Sequence, residues 1–327
     1  MVVDRLWKDY LSTGRMKFVL QTNQSGFSIP LPNGELAGSG DQTIEYVGHP
    51  LSAEDYASLL GRADIGLLLY DSERYFSRCA GVLVEMLTVG VPVVVPAGCW
   101  LSEQIAPEIF AHLKLMWQQS KTAHGVALAW KGRHAPVEVE GVVEVGGPNN
   151  MISCTFDRQQ NSDTLQVRFR QEDPLQPGAY VRVEVQQQDD AGCVVSSRHA
   201  IVGRCSQGGY SYTAFNLAMN TRQIDLRVCN AYGDDPISLI DIELQQAMTH
   251  AAPLGKVGMI ATDPDSFAVM LAEVADNYAH YQQSAAEFSK TWSQQHDPAK
   301  IIEHLVARAN AGSYIGLSGK GEGGVVS

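Results

Sequence analysis

The first 120 residues combine short runs of apolar residues with stretches whose apolar positions recur at helical spacing. Residues 65–69 and 91–95 form two such runs, and Val82, Leu83 and Met86 mark a helix between them. Strands that are apolar along their whole length are typical of parallel sheets, because helices cover both faces of such sheets. The pattern therefore predicts an α/β domain in which a parallel sheet carries helices on both faces.

Between about residues 135 and 248 the period of the pattern changes to two. Apolar and polar residues alternate in residues 165–170, 181–186, 224–228 and 240–244, and clusters of Asp, Gly and Pro lie between these stretches. Alternation of this kind predicts strands with one buried and one solvated face, and the clusters predict turns. We expect an antiparallel β-sandwich of the jelly-roll type.

After residue 251 helical spacing returns, following a short apolar run at residues 257–260. The sandwich is therefore expected to be an insertion into one α/β domain rather than a separate module at the end of the chain. The last residues are rich in Gly and Ser, which predicts a flexible tail. The predicted divisions are residues 1–122 and 251–312 for the α/β domain, 135–248 for the inserted sandwich and 313–327 for the tail.

Composition and charge argue against several classes of protein. The formal net charge is −12, with 24 Lys and Arg against 36 Asp and Glu, and the basic residues form no cluster of the kind that nucleic acids require. No apolar stretch reaches the roughly 20 residues that span a bilayer, and the first residues do not form a secretory signal. The six cysteines lack the spacing of metal ligands or of a disulfide framework. We therefore expect a cytoplasmic protein with no metal, no cofactor, no nucleic-acid partner and no transmembrane segment.

The segment from Arg78 to Glu85 carries the most informative chemistry in the sequence. Ala80 and Gly81 are small residues at the predicted start of a helix, where unpaired backbone N–H groups can hold a phosphate. Glu85 follows one turn later, on the same helix face as Gly81 and Val82. Because its carboxylate can accept hydrogen bonds from sugar hydroxyls, the segment predicts a site for a nucleotide sugar.

Residues 85–94, Glu-Met-Leu-Thr-Val-Gly-Val-Pro-Val-Val, resemble the end of the Glu-x7-Glu motif of GT-B glycosyltransferases, in the retaining branch of glycogen and sucrose-phosphate synthases. The resemblance implies a Rossmann-like nucleotide-binding domain that helps to transfer a sugar from a nucleotide-diphosphate sugar to a glycan or small-molecule acceptor. It also implies that Glu85 binds the ribose. The first Glu of the motif falls on Ser77, so either sugar recognition differs here or Ser77 and Arg78 take it over.

Two parts of that family have no counterpart in the sequence. The loop with the phosphate-binding Arg and Lys is missing, and so is the N-terminal acceptor domain. We therefore expect the chain to be inactive alone, or to work with a second polypeptide, and we assign no catalytic residue. The alternative is a degenerate, non-catalytic transferase domain that acts as a carbohydrate-binding or protein-binding module.

Other candidate residues have a structural interpretation beside the functional one. His49 either lines the nucleotide pocket or is a structural residue that follows a strand. Tyr70 and Tyr75 either stack on a base or sugar or serve only in packing. Arg78 either contacts a phosphate or pairs with neighbouring acids at the surface. For the sandwich, glycan stacking and a role as spacer or docking module are both open, and the aromatic candidates are Tyr180, Tyr210, Tyr212 and Tyr232.

Overall fold

A computed structural model describes most of the chain. The residues described are 2–22, 28–34, 36, 43–120, 124–126, 129–131, 142–172, 180–205, 209–296 and 303. The predicted flexible tail at residues 313–327 lies outside them.

The first part of the chain is mainly helical and contains short parallel strands. Its helices are α1 (Val2–Leu6), which continues into a π-helical turn (Trp7–Leu11), α2 (Ala53–Gly61), α3 (Gly81–Val89) and α4 (Trp100–Gln119). Its strands are β1 (Phe18–Thr22), β2 (Ile44–Gly48), β3 (Gly66–Leu67) and β4 (Val93–Pro96). Strands β1 and β2 pair in parallel and form a two-stranded sheet of their own.

The middle of the chain consists of antiparallel strands. They are β5 (His124–Gly125), β6 (Val142–Val145), β7 (Ile152–Asp157), β8 (Thr164–Gln171), β9 (Val181–Gln188), β10 (Val194–Val202), β11 (Ser211–Asn216), β12 (Gln223–Asn230) and β13 (Ile237–Ala247). One sheet has the strand order β10-β9-β12-β7, and the other has the order β11-β8-β13-β5, with β6 also paired to β13. A short 3-10 turn (Pro148–Asn150) precedes β7.

The last part of the described chain returns to the helical region. Strand β14 (Gly258–Ala261) lies beside β4, and the resulting parallel sheet has the order β14-β4-β3. Helices α5 (Pro264–Asp276) and α6 (Tyr278–Gln295) follow.

The antiparallel sandwich forms because its strands carry apolar side chains at every second position. In β8 the side chains of Leu165, Val167 and Phe169 are at most 1% exposed, and those of Val181 and Val183 in β9 are fully buried. No helix occurs in the described part of residues 160–245. The sandwich predicted from the alternating pattern is therefore present, and its two sheets bury one continuous apolar core.

The prediction of a Rossmann-like parallel sheet with helices on both faces is wrong. Parallel pairing in the described residues is confined to three strands of two to four residues and to the separate β1–β2 pair. The apolar run at 65–69 enters the sheet only at Gly66 and Leu67, and its last residue, Leu69, is 56% exposed. Apolar continuity indicated burial of the run, but it does not determine how many residues join a ladder or which strands become neighbours.

Helix α4 connects the two regions. Its side chains Leu101 and Ile105 are fully buried, and the same apolar cluster contains Val93 of β4 and Phe169 of β8. The helix packs on β11 along one part of its length and on β4 and β14 along another. The C-terminal turn of α4 is thereby placed over the outer face of the β11-β8-β13 sheet, where Trp117 meets Arg168.

Candidate functional site

The residues predicted to bind a nucleotide sugar lie around the start of α3. Ala80 precedes the helix and is buried, whereas Ser77, Arg78 and Gly81 are exposed and Val82 is half-buried. A Cβ added at Gly81 would meet no atom within 4 Å, so the backbone at this point is open. The fold brings these residues together at one surface, and their binding role stays a prediction.

Glu85 lies one turn further along α3 and already has a partner. Its Oε2 accepts a hydrogen bond of 2.6 Å from the hydroxyl of Tyr56 in α2. Burial of Tyr56 and this bond to the carboxylate raise the pKa of Tyr56 to about 12. His49 is exposed in the loop between β2 and α2. One acceptor position of Glu85 is therefore used within the protein, and the predicted ribose contact stays untested.

The loop between β3 and α3 is held by contacts within the protein, and the predicted ligand contacts of its residues stay untested. The rings of Tyr70 and Tyr75 stack on each other with centroids 4.4 Å apart, so each covers one face of the other. Arg78 forms no ion pair with Asp71 or Glu73 in the described part of the chain. Asp71 instead accepts a hydrogen bond of 2.9 Å from the backbone N–H of Glu73, which shapes the loop.

The four candidate tyrosines of the sandwich occupy different environments. Tyr180 and Tyr212 are buried, Tyr210 is half-buried and Tyr232 is 49% exposed. The hydroxyl of Tyr180 donates to Glu103 of α4 at 2.6 Å, and its ring packs edge-on against Tyr232. Tyr180 and Tyr212 therefore cannot offer a ring face to a bulky ligand from solvent, while Tyr210 and Tyr232 can.

Tyr210 belongs to a cluster on the outer face of the β11-β8-β13 sheet, which we call the polar strip. The guanidinium of Arg168 lies 4.4 Å from the ring centroid of Tyr210 and 4.5 Å from that of Trp117. Cation–π attraction orients the arginine and both rings. The members of the polar strip are Trp117, Arg168, Arg170, Tyr210, Asp241 and Glu243.

Two carboxylates pair with the arginines of the polar strip. Arg168 Nη2 donates to both oxygens of Glu243 at 2.7 Å, and Arg170 Nε donates to Asp241 Oδ2 at 3.1 Å. The hydroxyl of Tyr210 also donates to Asp241, at 3.3 Å. Although burial opposes ionisation of Arg168, its bond to Glu243 outweighs this effect and raises its pKa. The charged side chains of the strip therefore form two ion pairs, Arg168–Glu243 and Arg170–Asp241, without net charge.

A β-bulge in β13 places both carboxylates on this face. The pairing with β8 moves from Ile240 opposite Arg170 to Glu243 opposite Arg168, so β13 has one extra residue here. Asp241 takes up this extra length with a φ of 52°. Before the bulge the side chains that face the core belong to odd-numbered residues of β13, such as Leu239. After the bulge they belong to even-numbered residues, such as Leu244. The alternating pattern of the sequence could not indicate this shift.

Below the polar strip lie buried amide groups that are only partly satisfied. Gln245 Nε2 donates to Gln166 Oε1 at 2.8 Å and to the backbone carbonyl of Trp117 at 3.2 Å. Among the described residues, Gln166 Nε2 and Arg168 Nε have no hydrogen-bond acceptor although both atoms are buried. Buried donors of this kind are expected to hold an ordered water molecule.

Part of the strip was accessible to sequence analysis. The outward phase of the alternation at 165–170 includes Arg168 and Arg170, and that at 240–244 includes Asp241 and Glu243. Their mutual pairing depends on the strand order and on the bulge. The contribution of Trp117 depends on how α4 docks, and no local pattern encodes that contact.

Neither a metal centre nor a membrane span was found in the part of the chain that the structure describes. No group of three or more His, Cys, Asp or Glu side chains there is arranged to hold a metal ion. No described helix combines the length and the hydropathy that crossing a membrane requires.

Comparisons by sequence gave no relative. No model of a known protein family matches the chain, and no curated protein matches it. The prediction that the chain belongs to the GT-B glycosyltransferases is also wrong. No family match supports it, and the mainly antiparallel strand pairing contradicts the Rossmann-like domain that it requires.

Comparisons by structure gave several weak likenesses. A xylan-binding module, CBM15, matches 38% of this chain and 96% of its own length, with 8% identity and a TM-score of 0.29. A CBM4 structure matches 33% of this chain and 72% of its own length, with 9% identity and a TM-score of 0.23. Tailspike protein 4 of bacteriophage CBA120 matches 38% of this chain at 10% identity and a TM-score of 0.25, but the match spans 18% of the tailspike chain. Scores this low do not establish a common fold, so the strand pairing alone defines the architecture.

Proposed function

We propose that this protein is a non-catalytic carbohydrate-binding module and that the polar strip binds a neutral glycan. The observation that carries the proposal is the accessible part of the strip, where the half-buried Tyr210 lies beside the carboxylates of Asp241 and Glu243. Sugar hydroxyls would donate to the two carboxylates, and the apolar face of a sugar ring would contact Tyr210.

The charges of the polar strip support a neutral ligand. Two arginines face two carboxylates, so the formal charges sum to zero (+2 and −2). An anionic ligand would have to displace Asp241 or Glu243 from its arginine, at the cost of a charge-assisted bond. A ligand with many hydroxyl groups can instead add hydrogen bonds to the free lone pairs of the carboxylates. Their side chains are 37% and 43% exposed, so solvent and ligand can reach them.

The proposal can be tested with a panel of neutral oligosaccharides, including xylan fragments, titrated into the purified chain. Intrinsic tryptophan fluorescence is a suitable readout because Trp117 lies in the strip. We expect Tyr210→Ala to weaken binding by about tenfold, the order of magnitude of one lost aromatic contact. Tyr210→Phe should keep most of the affinity because the ring remains.

Tyr232→Ala is the matched control, because Tyr232 is the most exposed of the four sandwich tyrosines and lies outside the polar strip. It should leave glycan affinity unchanged. Binding that is lost in Tyr232→Ala and retained in Tyr210→Ala would move the site away from the strip. Absence of binding to every neutral oligosaccharide in the panel would refute the proposed function.

A further inference from the structure

A second concave region shares no residue with the polar strip, although Tyr212 in its wall packs edge-on against Trp117 of the strip. It is a cavity of about 940 Å³ between helices α4 and α5 and the edge strands β10 and β11 of the two antiparallel sheets. Its size is near the upper end of the range for ligand sites. Its helical walls include Ala106 and Phe110 from α4 and Met270 from α5.

The sheet side of this cavity is formed by strand edges. Every residue in 197–202 of β10 and in 212–216 of β11 lines it. Because side chains alternate between the faces of a strand, a run of consecutive lining residues shows that the backbone edge faces the cavity. Both strands stand at the end of their sheets, so neither has a further strand beside it among the described residues.

The hydrogen-bond pattern identifies the backbone groups on the free edge of β10. In β9 the carbonyl of Gln188 accepts a hydrogen bond from the backbone N–H of Arg222. The backbone N–H and C=O groups of even-numbered residues of β9 therefore point toward β12, and those of odd-numbered residues point toward β10. Val185 and Val183 oppose Arg198 and Ala200. These two residues of β10 therefore bond to β9, because the pairing alternates along an antiparallel ladder.

The intervening residues of β10, Ser197, His199 and Ile201, consequently direct their N–H and C=O groups into the cavity. Two side chains confirm this direction. The carbonyl of Ser197 accepts from Arg198 Nη1 at 3.1 Å, and that of His199 accepts a weak bond of 3.4 Å from the hydroxyl of Thr262. Ile201 has no partner for its edge groups in the described structure.

We infer that the cavity receives an extended polypeptide segment that adds to the edge of β10 as a further strand. Only an extended backbone presents donors and acceptors at the spacing of the free edge, which spans about 20 Å over six residues. This inference is independent of glycan binding at the polar strip.

The cavity also defines the character of the incoming segment. Its five acidic side chains already have partners. Glu103 accepts from Tyr180, Asp265 from Arg5, and Glu273 from the backbone N–H of Leu254. Asp263 pairs with His199, and Asp276 pairs with Arg15. The helical walls between them are apolar. Arg198 and Arg204 also line the cavity, and neither forms an ion pair within the described part of the chain. The segment that fits therefore has no basic side chain, and its alternate positions carry apolar side chains that face α4 and α5.

The probe for this inference is a phage-displayed library of random heptapeptides, selected on the full chain. The selected peptide is then synthesised and its affinity measured by fluorescence anisotropy. Added strands bind through alternate backbone groups. Backbone N-methylation should consequently weaken binding at every second residue of the peptide and leave the intervening residues tolerant.

Two pairs of variants locate the bound peptide. Ala106→Trp fills the cavity from α4 and should weaken binding at least about tenfold, while Ala111→Trp on the exposed face of the same helix should not. Ile201→Pro removes one backbone N–H on the free edge, a change that an edge strand tolerates, and should weaken peptide binding. Ile201→Val keeps this N–H and is the matched control. The melting temperature of each variant serves as a separate check that the protein is folded.

The outcomes are distinct. Loss of peptide binding in Ala106→Trp and Ile201→Pro, with retention in both controls, supports the inference. If no heptapeptide is enriched, if Ala106→Trp binds as well as the wild type, or if N-methylation shows no alternation, strand addition at β10 is excluded.

Discussion

At the scale of single residues, the carboxylate of Asp163 fixes the turn that follows β13. Its Oδ1 accepts from the backbone N–H of Thr249 at 2.7 Å, and its Oδ2 accepts from that of Ala251 at 3.1 Å. His250 and Ala251 both have positive φ, 57° and 53°, which is an unfavourable conformation for residues with a Cβ. The aspartate thus holds the chain in the sharp turn by which it leaves β13.

Replacing this carboxylate should lower the free energy of unfolding. Burial tends to raise the pKa of Asp163, but the hydrogen bonds from Thr249 and Ala251 outweigh it and lower the pKa. The ionised form therefore stabilises the fold above about pH 4, and this contribution is lost as the pH falls through the folded pKa. We expect Asp163→Asn to cost about 2 kcal/mol at pH 7 in urea unfolding.

The difference between Asp163→Asn and the wild type should shrink as the pH is lowered from 7 to 3. Asp190→Asn is the control, because the side chain of Asp190 is 92% exposed and should contribute little at either pH. An equal loss of stability at pH 7 and pH 3 would show that the charge of Asp163 is not the cause.

At the scale of elements, the short parallel sheet depends on close backbone contact. A Cβ at Gly258 of β14 would overlap the backbone carbonyl of Val93 in β4. Gly258→Ala should therefore force the two strands apart and cost about 1–3 kcal/mol. Gly61→Ala is the matched control, since a Cβ there meets no atom within 4 Å.

Thermal unfolding of the two glycine variants distinguishes packing from chain entropy. Gly61 ends helix α2, and an alanine there should raise stability by about 0.5–1 kcal/mol. Gly258→Ala should instead lower the melting temperature. A Gly258→Ala protein as stable as the wild type would mean that β14 can move away from β4 without loss.

The elements also show what the sequence could and could not predict. Strands of the sandwich were predictable because each has one buried and one solvated face, as in residues 165–170 and 181–186. The parallel sheet was overestimated because the runs at 65–69 and 91–95 indicate burial without indicating partners. The polar strip needs both the bulge at Asp241 and the docking of α4, and these arise only from tertiary contacts.

At the scale of the whole molecule, two histidines hold the segment that leads from the sandwich back to the helical region. His112 Nε2 of α4 donates to the carbonyl of Pro253 at 2.7 Å, and His280 Nε2 of α6 donates to that of Gly255 at 2.9 Å. The imidazole rings lie 5.2 Å apart. Two helices and the returning segment are thereby joined at one point, beside the fixed pair Lys256–Glu108.

This junction should make stability depend on pH. Burial lowers the pKa of His112, although its bond to Pro253 acts in the opposite direction. The folded state thus favours the neutral ring, whereas the unfolded state binds a proton near pH 6.5, so stability is lost as the pH falls below that value. Burial also lowers the pKa of His199, so the wild type has more than one such contribution.

The variant His112→Gln isolates the contribution of this ring, because glutamine can still donate to Pro253 but does not titrate. We expect the variant to be less stable than the wild type at pH 7.5 by about 1 kcal/mol, with the gap narrowing toward pH 5. The measurement is the melting temperature across this pH range, with the exposed His49→Gln as control. If the difference in stability between His112→Gln and the wild type stayed constant with pH, titration of His112 would not be its cause.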